Sequence, residues 1–256
     1  MKVLKRILIV LYALVFLSGA FFAVYPIAHG IYVDYGIRKD AQNFLNTVTE
    51  PTDQTEPLPP NLIIPIETEP QREYSDLWDA MTTYNDRIFT ENQSGLCDPW
   101  SYQQPSFQLE DYDLDDEVFG VITIPKLSLE MPIYLGATGE HMALGAAHLS
   151  QTSLPIGGKN TNCVIAGHRG YNGASYFRYV PDLQIGDDVM ITNLWETLHY
   201  RVTEQKIIMP NDVDAIHIQP DKDMITLLTC HPYASGGRYR FLVFCERVEG
   251  SSVYVG

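Results

Sequence analysis

The sequence predicts a mainly β domain, a barrel or a sandwich, set behind N-terminal helices and one membrane-crossing helix. Three observations carry this reading. From about Val118 onward, short β-rich runs alternate with Gly, Pro, Asn and Asp turns, the pattern of many short strands folding on one another. At the other end, Ile7 to Ala28 holds no charged residue, which is the length a helix needs to cross a bilayer. Between the two lie helical spacings and a proline-rich break.

The elements follow in chain order. Lys2, Lys5 and Arg6 precede the apolar stretch. Positive flanks stay inside, so residues 1–6 read as a cytoplasmic tail, residues 7–28 as a signal-anchor and the remainder as extracellular. A cleaved signal peptide would have an apolar core of roughly 7–15 residues, shorter than this one; Ser18-Gly19-Ala20 and Ala23 offer it a cleavage site. No second long apolar run follows, and the chain stops at Gly256 without a C-terminal span.

Tyr32 to Thr47 reads as a juxtamembrane helix. Glu50 to Glu69 holds Pro51, Pro57, Pro59, Pro60 and Pro65 among acidic residues, and such a stretch is an extended linker. In Glu73 to Asn92, Leu77, Met81, Tyr84 and Ile88 recur at intervals of three and four, which makes one apolar helix face. Ser94-Gly95 ends it. Residues 29–93 thus form extracytoplasmic helices and a linker, and residues 94–117 a connecting segment. Residues 118–250 form the β domain, and residues 251–256 a tail.

Within the β domain the strand-like runs are Val118–Ile124, Met131–Tyr134, Asn162–Ala166, Asp188–Ile191, Leu198–Val202, Met224–Leu228 and Arg240–Phe244. Ser175 to Tyr179 reads as a short helix.

Composition excludes several function classes. The 256 residues carry 17 Lys+Arg against 32 Asp+Glu, a net charge of −15, so no basic face is on offer to nucleic acid. Four cysteines, none in a C-x-x-C pair, suit neither a disulfide scaffold nor a structural zinc site. The acidic run Glu110, Asp111, Asp113, Asp115, Asp116, Glu117 lacks the glycine and spacing of a calcium loop and reads as a solvated linker. No metal or other cofactor is implied.

One constellation points to chemistry. Cys230 closes the β-forming run Thr226-Leu227-Leu228-Thr229, and His231-Pro232-Tyr233 turns the chain after it. A thiol at a strand end is rigidly held and partly accessible, as a nucleophile requires. His168 ends another apolar strand, in Ala166-Gly167-His168-Arg169-Gly170, and would serve as its acid–base partner if both strand ends share one rim. Arg238 or Arg240, at the start of the last strand, would steady a developing oxyanion. On spacing alone, a cysteine buried in a strand is the commoner arrangement. Cys163 and Cys245 read that way, His231 as a turn residue, and His141 and His148 as packing or surface residues.

Thr226-Leu227-Leu228-Thr229-Cys230 and Gly167-His168-Arg169-Gly170, with Gly145–Leu149 and Thr152–Gly158 upstream, resemble the signature segments of sortases. These are membrane-anchored cysteine transpeptidases of Gram-positive surfaces, and the resemblance covers roughly Val118 to Val248. It implies a closed sortase-type β-barrel in which Cys230 is the nucleophile, His168 the acid–base and Arg240 the oxyanion partner, with Arg238 as the alternative. It also implies Thr229 as a substrate-groove residue.

Asp98-Pro99-Trp100 is similar to the lid motif of class C, the pilin-polymerising sortases, in which the Asp pairs with the catalytic arginine and the aromatic ring covers the cysteine; the resemblance implies that residues 94–117 form a lid segment. Read alone, Asp-Pro-Trp is a tight turn, and Cys97 beside it an incidental thiol. Many class C members carry a C-terminal span, which this sequence lacks. The implied partners are sorting-signal-bearing surface proteins or pilins, an amine acceptor (a pilin lysine or a cell-wall precursor) and the membrane. The competing readings are a housekeeping sortase that anchors proteins to peptidoglycan, a secreted cysteine protease and an inactive surface scaffold.

Overall fold

A computed structural model describes residues 2–49, 74–96, 104–105, 108–112, 114, 118–251 and 253–254. The proline-rich linker and Asp98-Pro99-Trp100, with Cys97, lie outside the described residues.

Anchor and juxtamembrane segment form one helix, α1, Lys2–Thr49. Nothing between residues 28 and 32 breaks it, and Pro26 is accommodated inside it. Its first part contains an 18-residue window of mean hydropathy 2.7 with no buried residue, a candidate membrane span by length and composition. Its second part is amphipathic. Ile37, Ala41 and Phe44 are buried, at the spacing that puts them on one face, and they pack on Val118, Val121, Tyr134 and the barrel core. α2 is Ser75–Thr90, and it buries Leu77, Met81, Tyr84 and Ile88 against Phe119, Leu135, Leu154, Ile156 and Trp195.

The β domain comprises β1 (Val118–Ile124), β2 (Leu129–Leu135), α3 (Gly139–Leu144), β3 (Ala146–His148), β4 (Thr161–Ala166) and β5 (Asp188–Thr192). It continues with β6 (Glu196–Ile208), β7 (Asp223–His231), β8 (Tyr239–Arg247) and β9 (Val253–Tyr254). The strand order is β5-β1-β2-β3-β4-β7-β8-β6, and β5 pairs with β6 to close an eight-stranded barrel. β2–β3 and β4–β7 are parallel; the other pairs are antiparallel. Closure leaves no open sheet edge among these eight strands.

Side-chain alternation splits the central strands. Cys163 and Ile165 of β4, Ile225 and Leu227 of β7, and Val243 and Cys245 of β8 fill the barrel interior. Val164, Ala166, Met224, Leu228, Leu242 and Phe244 face the other way, under Met142 of α3 and Ile216.

Several elements differ from the sequence reading. β3 and α3 were too short to leave a periodic signal. β6 runs on to Ile208 because its first half pairs with β5 and its second with β8. Ser175–Tyr179 is a turn: Tyr176 has φ 43°, a left-handed value that no right-handed helix contains. A 3-10 turn, Val180–Asp182, follows it. The tail contributes β9, which pairs with β6.

Candidate active site

β7 lies between β4 and β8, and the register of those pairings builds the site. Cys230 stands directly opposite Arg240 in the antiparallel β7–β8 ladder. On the other side the parallel β4–β7 ladder ends at Ala166 opposite Leu228, and Gly167 N–H donates to the Leu228 carbonyl at 3.0 Å. His168 follows two residues after the end of β4, as Cys230 follows two residues after Leu228 on β7. Cys230 and Arg240 thus face each other across two strands, and the loop that carries His168 leaves β4 beside the same end of β7. Cys230 and Arg240 share the parity of Leu228 and Leu242, so both face outward from the barrel core.

Cys230 is half-buried and free. Burial pushes its thiol pKa up, while the charges of Arg240 and Arg169 pull it down, and the net shift is upward. Burial also lowers the His168 pKa. Both shifts favour neutral thiol and neutral imidazole at rest. The His168 ring stacks on Tyr171 at 4.5 Å and 20°, and it meets Tyr176 edge-on at 5.8 Å. Tyr176 is fixed in turn by donating its hydroxyl to the Ala143 carbonyl.

Arg240 is 3% exposed. Its Nη1 donates to the Gly237 carbonyl at 2.5 Å and to the Tyr239 carbonyl at 3.3 Å, which turns the guanidinium back toward the β7–β8 turn. Arg238 lies outside β8 and is exposed, so burial and strand pairing single out Arg240 of the two.

Thr229 differs from its expected place. It is fully buried on the opposite parity to Cys230, and its hydroxyl donates to the Gly167 carbonyl at 2.8 Å. It ties the His168 loop to β7 and does not line an open groove.

Two residues without a role in the sequence reading belong to the site. Gly237 has φ +79°, and a Cβ there would lie 3.1 Å from Arg240 Nη1 and 3.3 Å from Cys230 Sγ. Glycine keeps the space beside the sulphur open. Arg169 Nη1 donates to the Cys230 carbonyl at 3.3 Å and to His231 Nδ1 at 2.8 Å. Burial, with the adjacent positive charge of Arg169, lowers the His231 pKa. A Gly-Gly pair in a turn and an arginine after the histidine were visible in sequence, but only the β4–β7 adjacency gives them a target.

Cys163 and Cys245 are buried and free in the barrel core. His141 stacks on Tyr134 and bonds the Gly136 carbonyl, and His148 is buried with Nε2 donating to the Thr152 carbonyl at 3.2 Å.

Comparisons with known proteins point to one family. A sortase-domain family model matches residues 122–248. The chain is 28% identical over 131 residues to Sortase D of Bacillus subtilis, covering 50% of this chain and 63% of that protein. It is 30% identical over 117 residues to Sortase A of Streptococcus agalactiae, covering 44% and 47%. The chain thus spans about half to two thirds of these curated relatives. Among solved structures, sortase C-1 from Actinomyces oris superposes with TM-score 0.60 at 32% identity, covering 68% of this chain and 98% of that one. Sortase C from Streptococcus pneumoniae superposes with TM-score 0.65 at 27% identity, covering 82% and 96%.

Proposed function

The chain belongs to the sortase family, and from that premise we propose that it is a membrane-anchored cysteine transpeptidase of the pilin-polymerising kind. The observation that carries the proposal is the register that sets Cys230 between Arg240 and the His168 loop.

In this reading the Cys230 thiol passes its proton to His168, and the resulting Sγ thiolate attacks the threonine carbonyl of a Leu-Pro-x-Thr-Gly-like sorting signal. The C–S bond forms as the carbonyl oxygen takes up negative charge, which Arg240 steadies. His168 gives its proton to the departing glycine nitrogen, the C–N bond breaks and a thioester remains. An incoming amine attacks the thioester, His168 recovers a proton from it, and Cys230 leaves as thiolate. The product carries a new amide bond, and the enzyme is unchanged.

A pilin lysine is the favoured amine. Support comes from the similarity to solved sortases C, one of which is described in connection with pilin substrate specificity and another of which belongs to a pilus island. Asp98-Pro99-Trp100, outside the described residues, is proposed as a lid over Cys230. Lys2, Lys5 and Arg6 would keep the N-terminus cytoplasmic and the barrel extracellular.

The test incubates the protein with a Leu-Pro-x-Thr-Gly peptide and two competing amines, a pilin-like lysine peptide and a cross-bridge peptide, with products read by mass spectrometry. Lysine ligation that rises in the Asp98→Ala, Trp100→Ala double variant and vanishes in Cys230→Ala is the expected result. Ligation to the cross-bridge peptide, indifferent to the lid changes, would make this a housekeeping enzyme. Transpeptidation by Cys230→Ala would end the proposal.

A further inference from the structure

The loop that carries His168 is seated on the membrane helix. His29 Nδ1 donates to the Asn172 carbonyl at 3.1 Å, and Ser175 N–H donates to Asp34 Oδ1 at 2.9 Å. Between these bonds the two backbones touch. A Cβ on Gly30 would run into the Gly173 carbonyl, and one on Gly173 would lie 2.6 Å from the Pro26 carbonyl. The loop closes through a bridge between Tyr171 and Ala174, and the inner face of Tyr171 is the one stacked on His168.

The height of this contact follows from helix geometry. At about 1.5 Å per residue, the uncharged stretch Ile7–Ala28 spans about 33 Å, close to the roughly 30 Å of a hydrocarbon core. Its end therefore marks the edge of the bilayer. Pro26 lies inside that stretch, and Gly30 only about 3 Å beyond it. The headgroup layer extends about 5–8 Å further, so the Tyr171–Gly173 tip falls within it. The docking is held by burial of Ile37 and Phe44, apolar side chains removed from water. Tyr25, Tyr32 and Tyr171 are exposed, at 53%, 75% and 40%, around this level, and tyrosine is enriched where membrane meets water.

We propose that the tip of the His168 loop, Tyr171–Gly173, is held by α1 in the headgroup layer of the bilayer, with Tyr171 touching lipid on one side and His168 on the other. The lipid surface is then a partner of the active site, and both sorting signal and amine must reach Cys230 at the membrane plane. This rests on two readings above: that Ile7–Ala28 spans the membrane and that His168 serves Cys230.

The test uses the full chain in nanodiscs of phosphatidylcholine and phosphatidylglycerol whose acyl chains are brominated near the headgroup in one set, which reads the loop tip and the turn, and near the chain end in a second, which reads the mid-span position. One tryptophan is added at a time, and its quenching is read in excess of the parent protein. Phe16→Trp reports on the span, Tyr171→Trp on the loop tip, and Lys159→Trp on an exposed turn at the other end of β4. Tyr171→Trp is expected to be quenched several-fold more than Lys159→Trp. Equal quenching at those two, with Phe16→Trp quenched, would overturn the proposal. A Phe16→Trp that escapes quenching would instead remove the span on which it rests.

Gly30→Leu, which must push Gly173 away, is expected to reduce the Tyr171→Trp quenching and to lower turnover about tenfold or more, as small misplacements of a reacting group do. Unchanged quenching would refute the seating by α1. Loss of acyl-enzyme formation in every form of the protein, with quenching intact, would fault the transpeptidase reading and leave the lipid contact standing.

Discussion

Replacing Arg240 by alanine is the perturbation that most directly probes the site. Arg240 Nη1 and Cys230 Sγ lie 3.1 and 3.3 Å from one common point, the Cβ position of Gly237, and so stand at most about 6.4 Å apart. An oxyanion two bonds from the sulphur bridges much of that gap. A unit charge about 4 Å from the guanidinium, at an effective dielectric of about 20, is worth about 4 kcal/mol. Loss of one oxyanion-hole donor in well-studied hydrolases costs about 2.7–4 kcal/mol, or 10²–10³ in rate. The two estimates agree, so Arg240→Ala should lower kcat/KM of transpeptidation by about 10²–10³-fold.

The same change removes the stronger of the two influences that pull the Cys230 pKa down, so alkylation of the thiol should require higher pH. Arg240→Lys, a point charge without the planar fork, should fall between the two. Arg238→Ala, at an exposed position, should leave the rate within about twofold, as surface substitutions generally do. The assay is peptide ligation followed by mass spectrometry, beside a thermal melt that shows each variant folded. A folded Arg240→Ala protein with near-parental kcat/KM would refute the oxyanion role, and a large loss in Arg238→Ala would transfer it.

Other outcomes can be stated for the same assays. With the His168 pKa lowered and the Cys230 pKa raised, kcat/KM against pH should be bell-shaped, because the thiolate–imidazolium form is most populated between the two. The acid limb should lie below 6.5 and the alkaline limb above 9.0, the ordinary values of the two groups; an alkaline limb below 9.0 would contradict the assignment. Thr229→Val leaves the buried Gly167 carbonyl without its 2.8 Å donor and should cost about 1–3 kcal/mol of stability, with KM for the sorting peptide unchanged. A raised KM at unchanged melting temperature would restore Thr229 to the groove. His148 is buried, and its pKa is lowered to about 4 from 6.5. The unfolded chain therefore takes up its proton first as pH falls. Stability from this group is fully present above pH 6.5 and lost on the way down to about 4, by about 3 kcal/mol at 1.36 kcal/mol per pH unit. Melting temperatures between pH 4 and 6.5 should fall less steeply in His148→Gln, and an unchanged slope would assign the acid sensitivity elsewhere.

The sequence by itself determined the parts that depend on neighbours along the chain. An uncharged run of membrane length, a three-and-four spacing such as Leu77, Met81, Tyr84 and Ile88, and alternating β-rich runs between turns each express their meaning within a few residues. The candidates for the chemistry were legible for the same reason: Cys230 and His168 each sit in a short, distinctive segment. The tertiary structure decided what depends on which strands become neighbours. That Arg240 and not Arg238 stands opposite Cys230 needed the β7–β8 register. The role of Thr229 needed the β4–β7 contact that consumes its hydroxyl. Gly237 and Arg169 acquired a purpose only once the sulphur lay beside them, and nothing local to Gly30 or Gly173 announces that the two backbones meet. The physical reason is range. Periodicity and turn chemistry are short-range preferences of the backbone, whereas register and the docking of α1 are fixed by barrel closure and by burial of side chains far apart in the chain, such as Phe44 and Val118.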